Sequence, residues 1–148
     1  MTDRVFFDTN ILIYGLDPSD PDRRSIAAEL MARFRRKGGM VTSPQTLNEC
    51  YRVLTDRRKL MARGDARAYI GALIPTCTAP VDVPTTLRAW EIQESAGFAW
   101  WDCLMMSSAL AAGCKVYLTE DAQSGRSIRG MTLINPFRDE LPRLLDQS

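Results

Sequence analysis

A short apolar run that ends abruptly in polar residues is the feature that most constrains the fold of this chain. The run is Val5–Phe7, and Asp8 follows it directly. An unbroken stretch of β-branched and aromatic residues indicates a strand that is buried on both faces. A carboxylate at its end would then stand at the carboxyl edge of a parallel sheet, where ligands bind. Asp8 or Asn10 could equally be the N-cap of a helix that begins near Ile11.

The rest of the chain alternates strand patterns with helical patterns. Further strands are predicted at Met40–Thr42, Lys115–Thr119 and Met131–Ile134, with 79–83 as a strand or an extended link. Helices are predicted near 11–15, 22–37, 44–54, 65–74, 86–95 (around Leu87, Trp90 and Ile92) and 101–112, and the tail 138–148 as a short helix or a frayed end. Such alternation implies right-handed crossovers. The predicted fold class is α/β: a three-layer sandwich whose central, mainly parallel twisted sheet of about four to five strands is flanked by helices.

The length and the hydropathy of the chain predict one domain over residues 1–148 in the cytoplasm. A chain of 148 residues can bury a real core. No apolar run approaches the roughly 20 residues of a membrane span. The first residues lead straight into the predicted first strand, so we expect no signal peptide.

The absence of histidine excludes several kinds of active site. The chain has no His and four Cys, none of them in a C-x-x-C spacing. Ser-His-Asp catalysis, Cys-His catalysis and His-ligated zinc are therefore excluded, and the cysteine spacing argues against a zinc knuckle. We interpret Cys50, Cys103 and Cys114 as small core residues of a protein in a reducing compartment. The net charge of +1 indicates no molecule-wide attraction for nucleic acid.

Four acidic residues, which we name the acidic quartet, occupy strand ends or helix starts: Asp8, Glu49, Asp102 and Asp121. In a parallel sheet these positions fall on one edge, and four carboxylates there would raise one another's pKa unless a cation neutralised them. Oxygen ligands without His favour Mg²⁺ or Mn²⁺. Such a site suits phosphodiester hydrolysis. Each acid alone could be a helix cap or a turn residue, and it is the shared edge that favours a site.

The chain resembles PIN-domain ribonucleases, and within them the VapC-type toxins of toxin–antitoxin operons. The resemblance is carried, in order along nearly the whole chain, by the segments 7–12 (FDTNIL), 45–49 (QTLNE), 101–105 (WDCLM), 112–114 (AGC), 118–123 (LTEDAQ) and 130–137 (GMTLINPF). Each segment is short, and their combination, order and spacing make the resemblance specific.

The resemblance implies a Mg²⁺- or Mn²⁺-dependent endoribonuclease that acts on RNA. It assigns the catalytic and metal-binding roles to the acidic quartet, with Asp8 and Asp102 as the principal metal ligands. The other two acids would complete the pocket or orient the attacking water. Asn10 and Thr119 match polar positions that support the site, and Glu120 could take part or merely flank it.

The resemblance also implies two protein partners, a cognate antitoxin and a second copy of the chain in a homodimer. Antitoxins of this family dock in an apolar groove, which we expect beside Ile11, Leu12 and Tyr14. No membrane contact is expected.

The RNA-contacting residues follow from charge and aromatic character. The basic run after the helix of Glu49 is the better candidate for neutralising RNA phosphates: Arg57, Arg58 and Lys59, with Arg63 close behind. The run 33–37 is interpreted as a solvated helix end. We expect core packing for Tyr51 and Trp101, and leave base stacking open for Trp100.

Two other functions compete with the nuclease. A haloacid-dehalogenase-like phosphatase would use Asp8 as its nucleophile, but that chemistry usually needs a second Asp two positions on, where this chain has Asn10. A non-catalytic PIN-like interaction module would not need an intact acidic quartet.

Overall fold

The structure, a computed structural model, describes residues 3–121 and 125–138. Its strands are β1 (Val5–Phe7), β2 (Met40–Val41), β3 (Val116–Leu118), β4 (Ser127–Ile128) and β5 (Met131–Ile134). Its helices are α1 (Thr9–Tyr14), α2 (Pro21–Lys37), α3 (Pro44–Arg52), α4 (Arg63–Leu73), α5 (Val83–Ala96) and α6 (Trp100–Ala111). A π-helical turn (Val53–Arg57) extends α3, and a 3₁₀ turn (Ile74–Thr76) follows α4.

The strands form one sheet in the order β2-β1-β3-β5-β4, parallel throughout except for the β4–β5 pair. Helices cover both faces, so the predicted α/β fold with its mainly parallel sheet is confirmed. The register sets Phe7 of β1 beside Leu118 of β3. The residues that follow, Asp8 and Thr119, therefore leave the sheet side by side at its carboxyl edge.

Two hydrophobic cores lie on opposite faces of the sheet because side chains alternate along each strand. Val5 and Phe7 belong to the first core, which α1, α2, α3 and α4 cover. Phe6 and Tyr117 belong to the second core with residues of α5 and α6. The interior strand β1 is fully buried, as its unbroken apolar run predicts.

The helix that carries Glu49 begins where the sequence predicts. Ser43 is its N-cap, with a side-chain oxygen that accepts a hydrogen bond from the Thr46 N–H at 3.2 Å, and Pro44 follows in the first turn. The helix before it ends at Gly38, whose φ of 81° is the left-handed conformation that glycine adopts most easily. These local signals fix where the chain enters and leaves β2.

The structure decides one strand assignment that the sequence left open and adds a strand that the sequence did not predict. Residues 79–83 contain no strand: 79–82 form the extended link that was the alternative, and Asp82 ends it as the N-cap of α5, with a capping box to Thr85. The short antiparallel strand β4 was not predicted. It pairs with β5 through a tight turn at Arg129 and Gly130, both with positive φ, which is typical of a two-residue hairpin.

The exposure of some apolar residues also differs from the simplest expectation. In α5, Ile92 is buried, whereas Leu87 and Trp90 are 49% and 56% exposed. The predicted helix or frayed end at 138–148 lies, beyond its first residue, outside the described residues. Within 3–121 and 125–138, every helix is too short or too polar to cross a bilayer.

Candidate active site

Asp8 is the N-cap of a helix and also lies at the carboxyl edge of the sheet, so the two interpretations that the sequence allowed are both correct. It is the N-cap of α1, and one carboxylate oxygen accepts a hydrogen bond from the Thr9 N–H at 2.7 Å. The other oxygen accepts one from the Thr119 hydroxyl, also at 2.7 Å. The strand register makes this second bond possible. Asp8 is only 5% exposed.

Asn10 and Thr119 connect Asp8 to the loop after β3. The Asn10 side-chain amide donates a hydrogen bond to Asp121 Oδ2 at 3.2 Å. The Asp121 backbone N–H donates to the Thr119 hydroxyl oxygen at 3.2 Å. The start of α1 and the end of β3 are thus joined through polar side chains that present oxygens to the same space.

All four members of the acidic quartet line one cavity of about 410 Å³. Asp102 stands in the first turn of α6 and is half-buried, and Glu49 projects from α3 one helical turn before Val53. Asp8 reaches the cavity from the end of β1 and Asp121 from the loop after β3. The structure therefore brings together, on one side of the sheet, four acids that are far apart in sequence.

The electrostatics of the cavity disfavour negative charge. Burial raises the pKa of Asp8 to about 6, and the charges of Asp102 and Asp121 add to that effect. The hydrogen bonds from Thr119 and Thr9 oppose it without cancelling it. Burial also raises the pKa of Asp102, and Asp121 adds to it. Among the described residues, no Arg or Lys forms an ion pair with any member of the quartet.

The donor atoms of the cavity fit a hard divalent cation. They are carboxylate and amide oxygens, and the buried Asn10 Oδ1 has no hydrogen-bond partner among the protein atoms described. No three acids in 3–121 and 125–138 lie close enough to form a ready-made metal cluster. The arrangement suits an ion that takes one or two carboxylates and keeps several waters, as Mg²⁺ does.

Two arginines and one tryptophan line the same cavity. Arg57 and Arg58 are among the lining residues, whereas Lys59, the third candidate of that run, is not. Arg58 also forms an ion pair with Asp17 at 2.7 Å, so its positive charge is partly neutralised by a residue outside the cavity. Arg57 is left as the cation of this run that faces the cavity without a hydrogen bond or ion pair in the described part of the chain.

The predicted core packing of Trp101 is wrong. Its side chain is 63% exposed and lines the cavity. Trp100 instead packs, partly buried, against the second core. Consecutive residues point about 100° apart on a helix, and in this first turn of α6 the second core lies on the side of Trp100 and the cavity on the side of Trp101. Tyr51 packs against the first core as predicted, though only partly buried.

Glu120 belongs to a different cluster from the quartet. Its carboxylate accepts hydrogen bonds from the Tyr14 hydroxyl at 2.9 Å and from Arg23 Nε at 2.8 Å, and it does not line the cavity.

The expected apolar groove is absent in the form predicted, because Ile11 and Leu12 are fully buried in the first core. Of the three residues that were expected beside the groove, Ile11, Leu12 and Tyr14, only Tyr14 lines the cavity.

Gln45 is a cavity residue to which the sequence analysis gave no role. Its side-chain oxygen is buried and has no hydrogen-bond partner among the protein atoms described. The available signal was its place in the first turn after Ser43 and Pro44, at the carboxyl end of β2. That position alone did not distinguish it from an ordinary helix residue.

A PIN domain family model matches residues 5–126 of the chain. Two solved structures have a similar fold. VapC20 of Mycobacterium tuberculosis, described as a sarcin-ricin loop cleaving toxin, is 20% identical with a TM-score of 0.58 over 79% of this chain and 91% of that one. VapBC2 of Rickettsia felis, bound to a DNA fragment from its promoter, is 18% identical with a TM-score of 0.59 over 87% and 96%. No protein of curated function matches the chain in sequence.

Proposed function

The chain belongs to the PIN domain family, and from that premise we propose that it is a divalent-metal-dependent endoribonuclease of the VapC type. It hydrolyses phosphodiester bonds of RNA, as a single nuclease domain over residues 1–148 and in the cytoplasm. The observation that carries the proposal is the cavity of about 410 Å³ that all four members of the acidic quartet line. A binding module has no need of four acids from four separate segments, and the phosphatase alternative would need a second acid at the position of Asn10.

The acids of the quartet are proposed to bind Mg²⁺ or Mn²⁺, with Asp8 and Asp102 as the principal ligands. The ion would lower the pKa of a water molecule and stabilise the negative charge that develops on the phosphoryl and leaving-group oxygens. Glu49 and Asp121 would complete the pocket and orient the attacking water. The Thr119 hydroxyl and the Asn10 amide hold two of these carboxylates in place before any ligand arrives. Such preorganisation is what charge stabilisation in an active site requires.

The other lining residues are proposed to bind the RNA around the scissile bond. Arg57 would neutralise a phosphate, and its neighbour Arg58 would contribute what its ion pair with Asp17 leaves available. We retain Lys59 only as a more distant phosphate contact. The exposed Trp101 would stack on an unpaired base, which favours a single-stranded or looped RNA over a regular duplex.

Two protein partners complete the proposal. One is a cognate antitoxin that covers the cavity, and the solved VapBC2 complex is a structural relative that supports a toxin paired with such a protein.

The other partner is a second copy of this chain. The exposed apolar side chains of α5, Val83, Leu87 and Trp90, recur at helical spacing and offer apolar area that a homodimer would bury. Light scattering of the wild type and of Trp90→Ala would test the homodimer.

Cleavage of labelled RNA tests the catalytic proposal. Single-stranded RNAs, structured tRNAs and a ribosomal stem-loop are incubated with the protein in Mg²⁺, in Mn²⁺ and in EDTA. Asp102→Asn is the inactive variant, and Asp65→Asn, which changes an exposed acid in the first turn of α4, is the matched control. We expect cleavage only with a divalent ion, lost in Asp102→Asn and retained in Asp65→Asn.

Equal cleavage by the wild type and by Asp102→Asn would show a contaminating nuclease and refute the assignment. Release of phosphate from a phosphomonoester, with a covalent phosphate trapped on Asp8, would support the phosphatase instead. A protein that folds, binds no Mn²⁺ and cuts no RNA would favour the interaction module.

Trp101 has a separate test in RNA binding. Trp101→Ala, made in the inactive Asp102→Asn background, should weaken binding of a single-stranded RNA by roughly 5- to 100-fold, the effect of losing one stacked base. Ile74→Ala in the same background is the control, because Ile74 is similarly exposed, lies away from the cavity and is outside the proposed dimer surface of α5. An equal loss in both variants would indicate a general effect of removing an exposed apolar side chain.

A further inference from the structure

Tyr117 carries a buried hydroxyl group that the packing of its ring does not explain. The residue lies in the middle of β3, is 1% exposed, and stacks on Phe6 with ring centroids 5.0 Å apart. A phenylalanine would make the same stack. The hydroxyl has no hydrogen-bond partner among the protein atoms described, although an unpaired buried hydroxyl lowers the stability of a fold.

Tyr117 lines a second, small cavity next to the active-site cavity. Its volume is about 20 Å³, and the two cavities share three acids, Asp8, Asp102 and Asp121. Thr119 also lines it. One water molecule needs a cavity of at least about 10–15 Å³ and two to four polar partners. The small cavity therefore has the size and the lining of a site for a single water.

The hydrogen bonds already present indicate which acid such a water would contact. Both carboxylate oxygens of Asp8 accept a hydrogen bond, one from Thr9 and one from Thr119. Asp121 accepts one from Asn10. In contrast, no described residue donates a hydrogen bond to the carboxylate of Asp102. Of the three acids that line the small cavity, Asp102 has the most unused capacity to accept one.

We propose that the small cavity binds one water molecule, and that Tyr117 is a positioning residue that acts on Asp102 through it. The Tyr117 hydroxyl donates to the water, and the water donates to the Asp102 carboxylate. This bridge gives the buried hydroxyl a partner and holds Asp102 in the orientation in which it contributes to cation binding. The role in cation binding rests on the proposed metal site, whereas the water site itself does not.

Tyr117→Phe tests the bridge, because it removes the hydroxyl and keeps the ring stacked on Phe6. Tyr69→Phe is the control: it removes the hydroxyl of a partly buried tyrosine, which donates to the Leu12 carbonyl in the first core. Mn²⁺ affinity is measured by electron paramagnetic resonance of the free ion, without RNA. We expect roughly tenfold weaker Mn²⁺ binding in Tyr117→Phe, the usual effect of losing a group that orients a metal ligand. Tyr69→Phe should bind as the wild type does.

Unchanged Mn²⁺ affinity in Tyr117→Phe would overturn the positioning role while leaving the proposed nuclease intact. Equal losses in both tyrosine variants would overturn it too, because the effect would then be structural. A Tyr117→Phe protein with a higher melting temperature than the wild type would show that the hydroxyl has no water as a hydrogen-bond partner, and would overturn the bridge. A wild type that binds no Mn²⁺ would overturn both the metal site and the role of Tyr117.

The water is tested independently by a high-resolution crystal structure of the metal-free protein. We expect density for one water within hydrogen-bond distance of both Tyr117 Oη and the Asp102 carboxylate, and none at that place in Tyr117→Phe. Density in the wild type that contacts neither group, or no density there, would overturn the bridge whatever the RNA assays show.

Discussion

Asp8 and Asp17 are both almost completely buried, at 5% and 2% exposure, yet their environments have opposite effects. Asp17 lies in the link between α1 and α2. It accepts hydrogen bonds from the Ser19 hydroxyl at 2.6 Å and the Ser19 N–H at 2.9 Å, and it pairs with Arg58 at 2.7 Å. The Ser19 hydrogen bonds and the nearby guanidinium lower the pKa of Asp17. Asp8 also accepts two hydrogen bonds, but its pKa is raised to about 6.

Burial is the largest cause of the raised pKa of Asp8, and the two Ser19 hydrogen bonds are the largest causes of the lowered pKa of Asp17. The neighbouring charges add to both shifts: Asp17 has the Arg58 guanidinium beside it, whereas Asp8 has the carboxylates of Asp102 and Asp121. A buried acid with a cation is explained by the fold alone. A buried acid surrounded by other acids lowers the stability of the fold, and such a group is characteristic of a site that binds a ligand. The comparison therefore supports the functional role proposed for Asp8 and a structural role for Asp17, without reference to any relative.

The largest expected contrast is in RNA cleavage. Asp8→Asn should lower divalent-dependent cleavage by more than about 100-fold, since even a residue that only orients a metal ligand is worth about 10- to 100-fold. Asp17→Asn should stay within about threefold of the wild type at a temperature where it is folded. Initial rates at saturating Mg²⁺ measure both. Similar losses in the two variants would remove the functional distinction between the two acids.

The second contrast is in stability, where the two substitutions should have opposite signs. Without metal at pH 7, Asp8→Asn should raise the free energy of unfolding by up to about 3 kcal/mol, because each pKa unit corresponds to about 1.4 kcal/mol. Asp17→Asn should lower it by about 1–2 kcal/mol, because it weakens hydrogen bonds to a buried charge. Urea unfolding in EDTA measures both values. A destabilised Asp8→Asn would mean that its hydrogen bonds outweigh the burial of its charge.

The third prediction concerns pH. The folded pKa of Asp8, about 6, lies above its ordinary value of 3.8, so the folded state keeps a proton that the unfolded state releases. Stability that Asp8 contributes therefore falls as pH rises from about 4 to 6 and stays low above that. Between pH 5 and 7, the metal-free wild type should lose about 1 kcal/mol more than Asp8→Asn does. Identical pH profiles would show that Asp8 ionises normally.

The smallest contrast separates the two arginines at the cavity. Arg58→Gln should lower the melting temperature, because it leaves Asp17 buried without its cation, whereas Arg57→Gln should not. Arg57→Gln should instead weaken binding of a single-stranded RNA a few-fold and reduce the slope of log affinity against log salt by about 0.7. Both are made in the inactive Asp102→Asn background. Reversed effects would exchange the roles of the two residues.

The sequence predicted the parts of the site that follow directly from strand ends. A buried apolar strand must stop where charged residues begin, so Asp8 and Asp121 could be placed after β1 and β3 from their neighbours alone. The Ser43 and Pro44 start signal likewise placed Glu49 on α3. In a parallel sheet those positions share one edge, and the structure has all of them in one cavity.

Other features depend on contacts between distant segments. The pairing of Arg58 with Asp17 joins the end of α3 to the link after α1, and no local pattern indicates it. Glu120 was ambiguous in sequence, and its partners Tyr14 and Arg23 lie about a hundred positions away. Strand β4 is only two residues long, too short to produce an alternating pattern.

The amino-acid sequence by itself determined the strand–helix alternation, the order of the elements and the identity of the four acids, because apolar runs, caps and breakers act over a few neighbouring residues. Only the tertiary structure decided that Trp101 faces the cavity while Trp100 faces the core, and that Tyr117 lines the small cavity beside the active-site cavity. It also decided that the pKa of Asp8 is raised and that of Asp17 is lowered. Burial and charge at a point depend on which distant segments meet there, and that information is not local.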